Sequence, residues 1–268
     1  WNQNILKKIN DFKPGNKEIN TLRLLLYGPQ GAGKSSFFNS VNNALQGRIT
    51  TRALAQSTDT GGSFTLKVKT FKPIFERERD EAGFFYPFTF TDIAGIHNES
   101  NSIMTNDIQR LLNGHIIDGY TFNPVSAITE DDPKYKRDPI LKDRIHCLVA
   151  VLPASTVSQM HADIFGQIRA VREKARDLGI PQAIIMTKVD EVCPLVKENL
   201  EKIYKSKHIK QKCSSSVGVP MTCIYPVKNY HEESAINVKM DVLILDALQN
   251  IVNFANDYVE DQIDNKSF

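Results

Sequence analysis

Residues 28–35 read Gly28-Pro29-Gln30-Gly31-Ala32-Gly33-Lys34-Ser35 and fit the G-x-x-x-x-G-K-[ST] phosphate-loop pattern at every defined position. Before them, Leu22-Arg23-Leu24-Leu25-Leu26-Tyr27 is an apolar run of strand length, and residues 35–45 carry apolar side chains at helical spacing. A strand, a glycine-rich turn and a helix N-terminus in that order build an anion site, because free N–H groups and the helix dipole converge there. Glycines let the main chain curl around phosphates where a Cβ would collide. The pattern places Gly28, Gln30, Gly31, Ala32, Gly33 and Ser36 around the phosphates. Lys34 reaches the β- and γ-phosphates as the catalytic cation, and the Ser35 hydroxyl is a Mg²⁺ ligand. This loop alone does not choose between ATP and GTP.

The 268 residues, 41% hydrophobic and 24% charged, have the composition of a folded globular protein. A net charge of +2 with mixed signs gives no electrostatic case for nucleic acid as a partner. Apolar runs reach only about ten residues, too short for a transmembrane helix. The chain starts on Trp1 rather than Met, which points to a fragment of a longer protein. Cys147, Cys193, Cys213 and Cys223 are far apart and form no CxxC pair, so a reducing, cytoplasmic setting is expected. The six histidines show no metal-ligand spacing, and no structural metal is expected.

Beyond the loop, apolar strands alternate with amphipathic segments. Strands are expected near 22–28, 63–73, 86–93, 145–152, 182–186 and 221–225. Helices are expected near 34–46, 101–114, 157–178, 194–206 and 236–262. Near-continuous apolar strands separated by helices indicate a mostly parallel sheet covered on both faces. The predicted fold class is therefore α/β, a P-loop NTPase with a three-layer α/β/α GTPase-like domain. The expected organisation is an N-terminal helical extension over 1–19 and a G domain over 20–268. Insertions fall at about 74–85, read as a solvated hairpin, and 117–143, a polar connection longer than compact domains normally use.

Phe88-Thr89-Phe90-Thr91-Asp92-Ile93-Ala94-Gly95 puts a D-x-x-G motif at a strand end. Asp92 would hold Mg²⁺ and the Gly95 N–H would sense a γ-phosphate. Thr187-Lys188-Val189-Asp190 follows an apolar strand and matches [NT]-K-x-D. The Asp190 carboxylate accepts both the N1–H and the 2-amino group of guanine, whereas adenine offers neither donor there, and an unpaired buried acceptor is costly. The Lys188 stem lies over the base, and Thr187 replaces the commoner Asn, leaving one hydroxyl to brace the phosphate loop. At Tyr225-Pro226-Val227-Lys228-Asn229-Tyr230, where a loop should face guanine O6, the familiar S-A-K is absent. Asn229 or the Lys228 backbone N–H would replace it. An ATPase reading survives only if Thr187–Asp190 is coincidental.

Gly28 to Ser40, Thr187 to Asp190 and Tyr225 to Glu233 (YPVKNYHEE) resemble the C-terminal GTPase-like domain of the interferon-induced protein 44 and 44-like family. The likeness extends over most of residues 21–260, with PVKNYHEE its most specific part. It implies a cytoplasmic, interferon-induced protein with antiviral, innate-immune associations and a further N-terminal domain.

Water orientation in GTPases commonly uses a Gln directly after D-x-x-G. Ile96 stands there and can neither donate nor accept a hydrogen bond, so any hydrolysis is expected to be slow; His97 is the substitute candidate. Among Thr50, Thr51, Thr58, Thr60 and Thr65, Thr60 before Gly61-Gly62 is the first choice to close over Mg²⁺. Two readings follow: a slow Mg²⁺-dependent GTPase, with nucleotide-dependent self-association as a means of acceleration, or a GTP-binding interaction module with negligible turnover.

Overall fold

The computed structural model describes residues 2–50, 68–75, 84–93, 95, 105–123, 125–155, 157, 160, 162–192, 194–205 and 207–264. Helix α1 (Asn2–Asn10) precedes β1 (Leu22–Tyr27), which runs through the phosphate loop into α2 (Lys34–Gln46). Next come β2 (Lys69–Phe71), the pair β3 (Ile74–Phe75) and β4 (Phe84–Phe85), then β5 (Phe88–Asp92) and α3 (Thr105–Leu112). After β6 (Cys147–Pro153), α4 (Ala162–Asp177) and β7 (Gln182–Thr187) the chain makes two short turns of helix, Val189–Val192 and Pro194–Glu198. It ends with α5 (Lys207–Val217), β8 (Ile224–Pro226) and the long α6 (Val238–Asp264).

Six strands form one sheet in the order β2-β5-β1-β6-β7-β8. β2 is antiparallel to β5 and every other pair in this sheet is parallel. All seven residues of β6 are buried, as a strand covered on both faces requires. α1, α2 and α6 pack together as one group of helices, and α4 contacts both α3 and α5 in another; α6 and α4 each touch β6. From β1 the chain fills the β5 side of the sheet and then crosses to the β6 side. The carboxyl end of β1 is thus the point where strand order reverses, the place open α/β sheets bind ligands.

α2 is anchored beneath the loop by aromatic packing. Phe38 lies 4.8 Å from Phe71 between ring centres, and Phe37 meets Phe90 edge-on at 6.2 Å. α1 lies along α6 with Ile5 and Ile9 buried, and the Gly15 N–H donates to Asn256 Oδ1 at 2.8 Å.

Three sequence expectations differ from what is observed, the first being the strand expected over 221–225: Met221–Cys223 is a 3₁₀ turn and the strand is Ile224–Pro226. The helix expected over 194–206 is broken: Pro194–Glu198 is α-helical and Leu200–Lys205 is a 3₁₀ segment. α5 was not expected, because its Ser-rich sequence has low helix propensity; Cys213 and Val217, one turn apart and both buried, hold it in place. The polar stretch 117–143, read as an insertion, is pinned at several points. Tyr120, Phe122 and Ile128 are buried, the Ile128 N–H donates to Asp107 Oδ1 at 3.0 Å, and the Lys136 N–H donates to the His115 carbonyl at 2.7 Å. Of the strand expected over 63–73, residues 63–67 lie outside the described residues.

His146, immediately before β6, is fully buried. Its Nδ1 accepts the Arg23 N–H at 3.0 Å and its Nε2 faces the Leu141 carbonyl at 2.9 Å. Burial, with the nearby Arg23 charge, lowers its pKa from 6.5 to about 4. The unfolded chain therefore takes up a proton first as pH falls, so this group's stability is intact above 6.5 and is lost down to about 4. The loss approaches about 1.4 kcal/mol per pH unit. Urea unfolding of wild type and His146→Gln between these limits should show the wild type losing about 3 kcal/mol relative to the variant. A pH-independent difference would contradict this assignment.

Candidate nucleotide-binding site

Three loops converge at the carboxyl ends of β1, β7 and β8, and their hydrogen bonds follow from the residue types present. The phosphate loop turns through Gly28 at φ 144°, where a Cβ would come within 2.2 Å of the Val151 carbonyl oxygen on β6. Gly33 caps α2 in the left-handed region, and α2 opens with no side-chain cap on its first N–H groups. Lys34 is buried and folds back over the loop. Its Nζ donates to the Gly28 and Pro29 carbonyls at 3.1 and 3.2 Å. Burial lowers its pKa, and the Asp92 charge opposes that shift.

Beside it the Ser35 hydroxyl donates to Asp92 Oδ2 at 3.0 Å. Burial raises the Asp92 pKa, against the pull of Lys34 and Ser35. Asp92 Oδ1 is buried without a hydrogen-bond partner among the described residues. A buried, unpaired carboxylate oxygen beside a hydroxyl is a hard oxygen donor set, and it fits a Mg²⁺ ion held by Ser35 and Asp92. Gly95 closes this side, where a Cβ would lie 2.5 Å from both the N and the Cα of Gln30. Gln30, Gly31 and Ser36 are exposed around the rim.

At the other end, Thr187 Oγ1 donates to the Ala32 carbonyl at 2.6 Å. Asn229 Nδ2 donates to the next carbonyl, Gly33, at 3.1 Å. One of the two N–H groups of that amide, which the sequence offered for the guanine edge, is thus engaged by the phosphate loop; its Oδ1 is buried and unpaired among the described residues. Lys188 takes a left-handed backbone, φ 55°, rare for a residue with a side chain, and this lets the chain turn sharply before Asp190. Asp190 and Lys188 are both half-buried.

Lys228 Nζ lies 2.8 Å from Glu233 Oε1 and 3.8 Å from Asp190 Oδ2. Burial alone would raise the Glu233 carboxyl, but hydrogen bonds from Lys228 and the His231 N–H outweigh it and hold the pKa at about 2. The Glu233 hydrogen bond raises Lys228 in turn. Ser40 Oγ, on α2, accepts the Tyr230 N–H at 2.9 Å, and Tyr230 Oη donates to Asp241 at 2.7 Å. Neither Glu233 nor Ser40 was singled out from sequence. Glu233 lies inside the quoted YPVKNYHEE stretch, where an acid five residues after Lys228 was the available signal.

Thr60, Ile96 and His97 lie outside the described residues, as do Thr51, Thr58 and Thr65. Thr50 is described: its N–H and hydroxyl are engaged by Asn43 and Asn42 near the far end of α2. The structure thus brings together Gly28, Gln30, Gly33, Lys34, Ser35, Asp92 and Gly95 at one end, and Thr187, Asp190, Lys228 and Asn229 at the other.

A mostly parallel sheet with a phosphate loop at its switch point is the α/β P-loop NTPase fold. Interferon-induced protein 44 of Mus musculus is 34% identical over 261 residues, covering 96% of this chain and 60% of that protein. Its Homo sapiens counterpart is 32% identical over 263 residues, covering 97% and 58%, and Homo sapiens interferon-induced protein 44-like is 30% identical over 261 residues, covering 96% and 56%. The chain belongs to the interferon-induced protein 44 and 44-like family, and it spans 56–60% of the length of these relatives. No protein-family model matches it. Among solved structures, Toc33 from Arabidopsis thaliana in complex with Mg²⁺ and GMPPNP aligns with TM-score 0.48 and 13% identity, over 96% of this chain and 91% of that one. A probable GTP-binding protein engB aligns with TM-score 0.43 and 11% identity, over 87% and 98%.

The contact between Gly95 and Gln30 gives a direct test. Gly95→Ala should force the two loops apart, costing about 1–3 kcal/mol. Urea unfolding should show that loss, and nucleotide affinity should fall with it. Unchanged stability and affinity would mean the approach is looser than described.

Proposed function

We propose that this chain is a guanine-nucleotide-binding G domain that holds GTP and GDP with Mg²⁺ and hydrolyses GTP slowly. The observation that carries this is the hydrogen-bonded junction of the two loops. Thr187, three residues from Asp190, and Asn229, next to Lys228, both donate to the phosphate loop, which supports a site gripping phosphates and base at once. In this reading the loop N–H groups and Lys34 bind the phosphates, and Asp190 takes the N1–H and 2-amino donors of guanine. Ser35 and Asp92 would hold Mg²⁺, which when bound neutralises charge on the β- and γ-phosphates. Lys188 covers the base, and Gly95 donates its N–H toward the γ-phosphate.

Slow turnover rests on Ile96, which offers no hydrogen bond to an attacking water; His97 would be the substitute and Thr60 the residue closing over the metal. The family's names support an interferon-induced role. Antiviral, innate-immune and cytoplasmic action, and self-association across the nucleotide face, are part of the same proposal. Among the described residues no helix is long and apolar enough to cross a membrane.

The second reading, a GTP-binding interaction module without turnover, is favoured by the same Ile96. Single-turnover release of phosphate from GTP, at low and high protein concentration, separates them. The proposed function predicts slow release that needs Mg²⁺. Flat traces at every concentration, with GTP bound, would leave only the interaction module.

A further inference from the structure

Guanine presents three groups in a row on one edge: the O6 acceptor, the N1–H donor and the 2-amino donor. A carboxylate satisfies the two donors and leaves O6 needing a donor immediately beside that carboxylate. A backbone N–H commonly fills this place, and Asn229, the side-chain amide available on this loop, directs one of its two N–H groups to the Gly33 carbonyl instead. Lys228 Nζ stands 3.8 Å from Asp190 Oδ2, a side-by-side spacing that puts an ammonium next to the acceptor when the carboxylate holds N1–H. The amine does not swing freely. Glu233 Oε1 fixes it at 2.8 Å, while Glu233 Oε2 accepts the His231 and Glu232 N–H groups at 2.9 and 3.2 Å.

We propose that the Lys228 side-chain ammonium reads guanine O6, with Glu233 as the positioning residue that aims it. This rests on the guanine reading of the site. Chemically it sharpens base choice: an ammonium meets the carbonyl of guanine with a charge-assisted hydrogen bond, but it faces a like-polarity amino group at position 6 of adenine. The competing role for Lys228 is to neutralise Asp190 as an ion pair that a base would have to break. Half-exposed pairs of that kind contribute little.

The two roles give opposite results when a ribose-labelled fluorescent GDP is displaced by unlabelled GDP, 6-thio-GDP or IDP. The 6-thio analogue keeps both donors and weakens only the acceptor at position 6; IDP keeps O6 and lacks the 2-amino group. Wild type should prefer GDP over 6-thio-GDP, and Lys228→Met should reduce that preference by about tenfold or more. The GDP-to-IDP ratio, which reports the Asp190 contact, should hold. Glu233→Gln, which keeps the amine and removes its charged anchor, should reduce the GDP-to-6-thio-GDP preference part of the way. Each ratio is measured within one protein and so does not depend on the fraction folded. An unchanged 6-thio preference in Lys228→Met, or tighter GDP binding, overturns the role of Lys228 alone. Failure of wild type to bind the labelled GDP overturns it together with the guanine reading.

Discussion

Thr187 Oγ1 and Asn229 Nδ2 donate to successive carbonyls of one loop, Ala32 and Gly33, and through them the two ends of the site become one rigid piece. Each such bond contributes only about 1 kcal/mol net to stability. Their importance is geometric. A nucleotide's phosphates and base are separated by a fixed length of ribose, so the loop that grips one must keep its distance from the acid that reads the other. β1 and β7 are each hydrogen-bonded to β6 over several residues, which sets that distance through the sheet, and the two side chains lock it at the surface.

Crowding supplies the rest of the constraint. Around Gly28 and Gly95 the backbone passes so close to Val151 and Gln30 that no side chain fits. Loops packed this tightly have few alternative conformations, so the N–H groups are aimed before any ligand arrives and little ordering entropy remains to be lost on binding. Among the described residues, Asp92 Oδ1 and Asn229 Oδ1 are buried beside this loop without a hydrogen-bond partner. Beside the phosphate loop, such acceptors are where a cation or a ligand donor would bind.

Much of the framework was legible from residue order. Leu22–Tyr27, the glycine loop and the helix after it declare themselves by an abrupt change from apolar run to glycines to helical spacing, and the structure has β1 and α2 there. The parallel sheet was readable because strands buried on both faces are continuous in apolar residues, as in Cys147–Pro153. α5 was not, since its buried Cys213 and Val217 stand among serines, residues of low helix propensity. The anchoring of 117–143 was hidden for a similar reason, three buried side chains being dispersed through a polar stretch. Within the site, motifs disclosed which residues gather but not how they pair. That Asn229 turns to the phosphate loop while Lys228 turns to Asp190 depends on strands β7 and β8 lying side by side, a relation that no local pattern contains.

Calorimetric titration of the wild-type chain with GDP and with ADP, each in Mg²⁺, tests the central claim most directly. A loop that holds phosphates, rigidly coupled to a carboxylate that accepts guanine's donors, predicts GDP binding at least about a hundredfold tighter than ADP. Equal affinities, or a preference for ADP, would contradict it.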